Sequence, residues 1–348
     1  MAPGRLTPLF LAWGLLLAFI GSGFAQDTLT LLKSFEFGRN RRAWNSMDIQ
    51  VRAERNRERR AAEQQLIEVL LGRDSTTDAK ILACRGLRYV GTNPGVEVLL
   101  SLVKDERLSA EACAALQEKD FKEINPALRT ALPLAPNDLK AGLMNTLARR
   151  RDREAAPVIG KIARSISDRP VLIAALDALG QIGGVEGLTA LQQLASKNPD
   201  LEVRRKHALL AAAGHALRQD ALSKDLALKI LNQFMAPSQP PLLRGAAMVE
   251  VAMSDKDQRA QLCLQALKSS TGTLLPAAAS ILSVLEVGEF IPLYTEHFDS
   301  LKTPAQILLV ELWKPEYRDS KRIQDLSLNT KIDPNLRHAA TRAIDRSR

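Results

Sequence analysis

The chain has 348 residues, with 48 Lys and Arg against 39 Asp and Glu, and a formal net charge of +9. It is 46% apolar but only 4% aromatic. Its apolar content is therefore chiefly Ala, Leu, Val and Ile, which suits thin, closely approaching helices better than a thick globular core. Three cysteines, an odd number, argue against a complete disulfide framework, and the length alone admits one large domain or two ordinary ones.

In chain order, the first element is a leader. Arg5 precedes an uncharged run from Leu6 to Ala25 that ends in small residues, with Gly23 and Ala25 at −3 and −1 of a cut before Gln26. This is the pattern of a secretory signal peptide over residues 1–25. An uncleaved anchor is the competing reading, since about twenty apolar residues can span a bilayer. Pro8, Gly14 and Gly21 and the small-residue end favour cleavage. No Cys follows the run, which removes lipid attachment there, and no later stretch is apolar enough to span a membrane. The expected product is exported, periplasmic or extracellular, and free of the membrane. Losing Arg5 leaves 47 cations against 39 carboxylates, a net charge of +8.

Residues 26–72 form the next region. Between 39 and 60 lie eight Arg (39, 41, 42, 52, 55, 57, 59 and 60) against Asp48, Glu54 and Glu58. From Ala61 the pattern turns amphipathic, with Leu66, Ile67, Leu70 and Leu71 on one stripe. One or two helices are expected, the last part docking as an N-terminal cap, because the end of a stacked array needs a polar outer face.

Beyond this a ladder of similar helix cores begins at Ala83, Ala112, Leu143, Ala175, Leu209, Ala247, Ala278, Leu308 and Ala340. The intervals are 29, 31, 32, 34, 38, 31, 30 and 32 residues. Between the rungs lie second apolar-periodic segments: "GVEVLLSLVKD", "AAPVIGKIARS", "VEGLTALQQLAS", "DLALKILNQFM" and "RAQLCLQALKSS". Apolar residues at i, i+3, i+4 and i+7 give each one sticky stripe. A fixed period of this size with helical units predicts an all-α solenoid, an α-superhelix of about eight to nine stacked antiparallel helix pairs. It is expected over residues 73–331, closed by a capping helix at 332–348.

The turns carry their own punctuation. Gly183-Gly184 is expected to end one helix in a left-handed conformation, and Gly91 to do the same one period earlier. Asn93 with Pro94, Thr303 with Pro304 and Gln306, and Asp333 with Pro334 read as N-caps, the second as a capping box. "KNPD" at 197–200 separates two units. Cys84 and Cys113 hold the same place in successive helices, whose axes pack about 8–10 Å apart. A disulfide needs Cα atoms near 5.5–6 Å, so these thiols and Cys263 are expected to be buried and free.

A period near 31 without strands excludes leucine-rich repeats, and the tetratricopeptide and ankyrin signatures are missing. On "ALDALGQIGGVEGLTALQQLA" (175–195), and over roughly residues 60–348, the sequence resembles the short bacterial HEAT-like repeats of the phycobilisome-lyase type. The block "ILACRGLRYVGTNPGVEVLLSLVKDERLSAEACAAL" is also similar to exported HEAT-repeat proteins of planctomycete- and verrucomicrobium-like bacteria. "EACAAL" at 111–116 departs from their "ARYAL"-like text. The resemblance implies a fold and an export route, and no activity.

Catalytic and cofactor motifs are missing: there is no C-x-x-C-H, H-E-x-x-H, G-x-S-x-G or G-x-x-x-x-G-K-[ST]. Gly180, Gly183, Gly184 and Gly187 do not fit G-x-G-x-x-G and follow no strand. His207 and His215 are eight residues apart on one helix, about 12 Å, too far for one metal ion. His297 and His338 stand alone. No catalytic, metal or cofactor-binding residue is predicted.

The global signal is positive charge. Arg149, Arg150, Arg151 and Arg153 sit in a loop between paired helices, and Lys104, Lys161 and Arg164 lie at or near the ends of second helices. If they converge they form a basic groove on the face that second helices usually line in HEAT-like solenoids. The leading expectation is a non-enzymatic scaffold that binds another protein through its concave surface. The alternatives are a binder of anionic envelope glycan or polymer, and an enzyme resembling the bilin lyases, against which export and the missing motif count. Nucleic acid is not expected as a partner, because no stacking aromatics accompany the basic residues.

Overall fold

The computed structural model describes residues 29–39, 41–195, 198–269, 272–313 and 320–346. The leader and its cut at Ala25–Gln26 lie outside the described residues. The chain divides into two compact units, residues 1–178 and 179–348. Among the described residues there are helices and no strands.

In the first unit the pairs are α1 (Arg41–Val51) with α2 (Asn56–Leu71), and α3 (Thr77–Val90) with α4 (Asn93–Ser101). Next come α5 (Ser109–Leu116) with α6 (Ile124–Leu134), and α7 (Asn137–Arg149) with α8 (Ala155–Ser165). The first helices α1, α3, α5 and α7 pack each on the next, and so do the second helices α2, α4, α6 and α8. Two layers result. The Arg-rich segment expected to cap the array forms a pair, α1–α2, that joins both layers as any repeat does.

The division between the units falls within α9 (Arg169–Ile182). The second unit continues with α10 (Gly184–Gln192), then α11 (Pro199–Gln219) paired with α12 (Lys224–Met235), and α13 (Pro241–Ser254) with α14 (Lys256–Leu267). It ends with α15 (Leu275–Leu282) and α16 (Val287–Glu296), α17 (Thr303–Glu311) and α18 (Ser320–Leu328), and α19 (Pro334–Arg346). Here α11, α13, α15, α17 and α19 stack in one layer; in the other, α10 packs on α12 and α14 on α16. The fold is an all-α solenoid of repeated helix pairs. Every rung of the ladder falls on a first helix, and all but the half-buried Leu308 are buried. Small Ala and Leu side chains at these positions let first helices approach closely.

The helix ends explain the boundaries. Asn198 accepts from the amides of Asp200 (3.0 Å) and Leu201 (3.3 Å), with Pro199 opening α11. Asp333 accepts from Asn335 N at 2.8 Å ahead of Pro334. Gly183 and Gly184 both have φ +64°. At ψ −146° Gly183 lies outside the left-handed helical well, in a region essentially reserved for glycine. Three turn expectations are corrected. Gly91 has φ −58°, which any residue adopts; it is needed because a Cβ there would lie 2.5 Å from Leu87 O. The residue capping α4 is Thr92, not Asn93, and Pro94 is the second helical residue. Thr303 is already helical, and Gln306 donates to Phe298 O (3.0 Å) instead of closing a capping box. A capping box does form at Glu286 and Glu289, where Glu286 N donates to Glu289 Oε2 at 2.8 Å.

Candidate functional site

The seven cations singled out from the sequence do not converge. Arg149, Arg150, Arg151 and Arg153 occupy the turn from α7 to α8, and Lys161 and Arg164 lie along α8. The ten-residue advance of α8 carries the chain about 15 Å, so Arg164 ends on the opposite rim from Arg153. Lys104 follows the C-terminus of α4 and shares the rim of Arg164. Arg149, Arg151, Arg153, Lys104, Lys161 and Arg164 are exposed.

Arg150 is different, because it points inward. Its Nη1 donates to Leu116 O (2.9 Å) and Lys119 O (2.5 Å), and its Nε donates to Asn125 Oδ1. Leu116 is the last residue of α5, where a helix leaves its C=O groups without an internal partner, and Lys119 lies three residues beyond it. Burial lowers the guanidinium's pKa. Lys119 repeats the device one turn earlier, its Nζ donating to Gly91 O at 2.7 Å, and burial lowers its pKa too. The turns of three successive pairs are thus joined by two cations. Two further contacts cross in the same place from the second helices. Glu63, 5% exposed, accepts from Thr92 N (2.5 Å) and Gly95 N (3.2 Å) and so caps α4. Arg129 Nη1 lies 2.7 Å from Asp152 Oδ1, which is itself buried.

A concavity with a polar rim lies elsewhere, across the first-helix layer at α1, α3 and α5. Its volume is about 260 Å³. The floor is Met47, Val51, Leu82, Gly86, Ala114 and Ala115, and the rim is Asp48, Arg52, Arg85, Arg88, Tyr89 and Glu111. It continues past Arg59 and Arg60 towards Gly91. Tyr89 is 64% exposed at its centre, and Arg59 Nη2 donates to the Tyr89 carbonyl at 2.9 Å. Arg85 pairs with Glu111 (2.7 Å), Arg52 with Asp48 (2.8 Å), and Arg88 with Glu118. Each pairing raises its guanidinium's pKa, the hydrogen bond to the carboxylate being the largest cause, so all three stay charged. Arg88 Nε is shielded from solvent and makes no hydrogen bond. Arg85 also lies 5.4 Å from the Phe37 ring centroid. The sequence reading found no aromatic among the cations; this groove has one, with a second at its edge. The signal was present in "RGLRYV", where Tyr89 follows Arg85 by one helical turn.

Among the described residues no group of His, Cys, Asp and Glu has the geometry of a metal site. His207 and His338 are exposed, and His215 and His297 half-exposed. Cys84, Cys113 and Cys263 are buried and free, as their spacing predicted. Burial pushes the thiols of Cys84 and Cys263 up to about 12 and raises that of Cys113. A thiol held protonated is a poor nucleophile and a poor ligand.

Residues 125–213 match a family model described as HEAT repeats. Over this stretch the chain is similar to HEAT repeats. The match begins on α6 and ends on α11. No curated protein matches the chain.

Proposed function

We propose that this HEAT-like repeat protein is a non-enzymatic scaffold that binds another protein through its layer of second helices, the concave surface expected from the sequence. We propose further that it acts outside the cytoplasm, after removal of residues 1–25. HEAT repeats commonly serve as protein-interaction scaffolds. One observation carries the reading to the second helices. In the first unit Leu71 and Leu134 are each the last residue of a second helix, and they leave 66% and 70% of their surface in water. A stacked array presents such positions on a surface formed before the partner arrives, so little ordering entropy is lost on binding.

The test is affinity capture from the envelope fraction with Gln26–Arg348, at low and high salt, beside a variant carrying Leu71→Asp and Leu134→Asp. The expected result is one protein retained at both salts by the parent and lost from the variant. Material that leaves at high salt and binds the variant equally would replace this reading with a polyanion binder, because contacts between exposed charges are screened within about a nanometre.

A further inference from the structure

We propose that the groove across α1, α3 and α5 is a second docking surface, which takes a short acidic segment of a partner protein carrying one large apolar side chain. It lies on the first-helix layer, away from the surface assigned above. Three observations lead to this occupant.

The floor is apolar and already recessed. Met47, Val51, Leu82 and Ala115 are buried and Ala114 is half-buried, and about 260 Å³ stands above them. That space accepts a large aliphatic or aromatic side chain, and such an anchor in a desolvated pocket is what usually dominates a protein contact. Tyr89 supplies an exposed ring at the edge of the floor.

The rim selects negative charge. Arg52, Arg59, Arg60, Arg85 and Arg88 stand around it against Asp48, Glu111 and Glu118. Five cations meet three carboxylates: Arg52, Arg85 and Arg88 are each paired with one of the three, and Arg59 and Arg60 are the two in excess. Arg59 and Arg60 are exposed, and an incoming carboxylate can reach them directly.

The same rim disfavours a phosphate polymer. Asp48 and Glu111 would stand against a continuous line of phosphates, and the two exposed rings of Tyr89 and Phe37 are not the row of stacking platforms that binds single strands. A peptide that alternates acidic and apolar side chains avoids both conflicts.

The experiment is fluorescence anisotropy with the full mature chain. The probe is a labelled dodecapeptide alternating Glu with Leu and Phe, and the comparison ligands are polyglutamate of equal length, the same peptide with Lys for Glu, and oligothymidylate. Saturable binding is expected, at least about tenfold tighter than for any comparison ligand. Tyr89→Ala and Ala114→Trp change exposed or half-exposed positions; the first removes the ring and the second fills the floor. Both are expected to weaken binding by about fivefold or more, while Arg151→Ala leaves it unchanged. Equal binding of polyglutamate or oligothymidylate, indifference to both groove variants, or no saturation each overturns the proposal. Leu71→Asp with Leu134→Asp is expected to leave the peptide affinity unchanged, so failure of the second-helix reading and failure of this one are separately visible.

Discussion

Arg149, Arg150 and Arg151 are adjacent and chemically identical, yet only the middle one turns inward. Its guanidinium donates to Leu116 O at the end of α5 and to Lys119 O in the turn beyond it. Arg150→Ala takes the described donor from Lys119 O and one of two from Leu116 O, so it is expected to lower stability by about 1–3 kcal/mol. Arg149→Ala, at an exposed position, should stay within about 0.5 kcal/mol. Urea unfolding of the two variants beside the parent measures the difference, and equal midpoints would refute the assignment. Why did the sequence not reveal this? Periodicity tells which helix face is buried, but a turn residue has no period. Only the 31-residue spacing between Lys119 and Arg150, one repeat, hinted that both have the same task. The basic patch meets the same limit: residue type is legible in the sequence, and the rim on which each side chain sits is not. Tyr89 stands where helix α3 meets a turn, and its exposure depends on how α1 packs beside it, which no local pattern records.

At the scale of the element, the regular parts were legible and the exceptions have physical causes. The nine rungs became nine first helices because small residues recur where helices touch. Five second helices were visible as amphipathic runs. The structure adds α6 and α16, whose internal Pro133 and Pro292 disguise them, since a proline within a helix removes one hydrogen bond and usually signals its end. The turn glycines look alike in sequence and differ in purpose. At Gly183 a side chain would meet little, His215 lying 3.9 Å away, but the backbone conformation excludes it; at Gly91 the conformation is ordinary and the space is missing. Gly183→Ala is therefore expected to cost about 1–3 kcal/mol through strain alone. A D-alanine introduced by semisynthesis at 183 should restore stability, because its mirror-image preference suits a positive φ. The same D-residue at 91 should not. Thermal unfolding of the four proteins decides the point, and rescue at both positions would show that one cause serves both.

At the scale of the molecule, every packing contact described joins an element to itself or to a near neighbour in the chain, as a solenoid requires. Its polar contacts follow suit. Arg85 reaches Glu111 from α3 to α5, Arg218 reaches Glu250 from α11 to α13, and Arg342 reaches Glu311 from α19 to α17. Exposed pairs of this kind contribute little each, about 0–1 kcal/mol, and serve better to fix register between neighbours. The thiols test whether the array stays closed. With pKa values near 12 for Cys84 and Cys263, the thiolate fraction at pH 8 is on the order of one in ten thousand. The three cysteines of the folded chain are expected to ignore an aromatic disulfide reagent at that pH and to react together with unfolding in urea. Reaction of any thiol in the absence of denaturant would locate a repeat that opens by itself.

Those silent thiols also make the chain convenient to label. A cysteine placed at Glu106 or Lys331, both exposed and outside the surfaces assigned above, would be the sole address for a maleimide dye or a spin label, with no native cysteine removed to make room. Either tag would report, in real time and within its own unit, whether its surroundings change as a partner arrives.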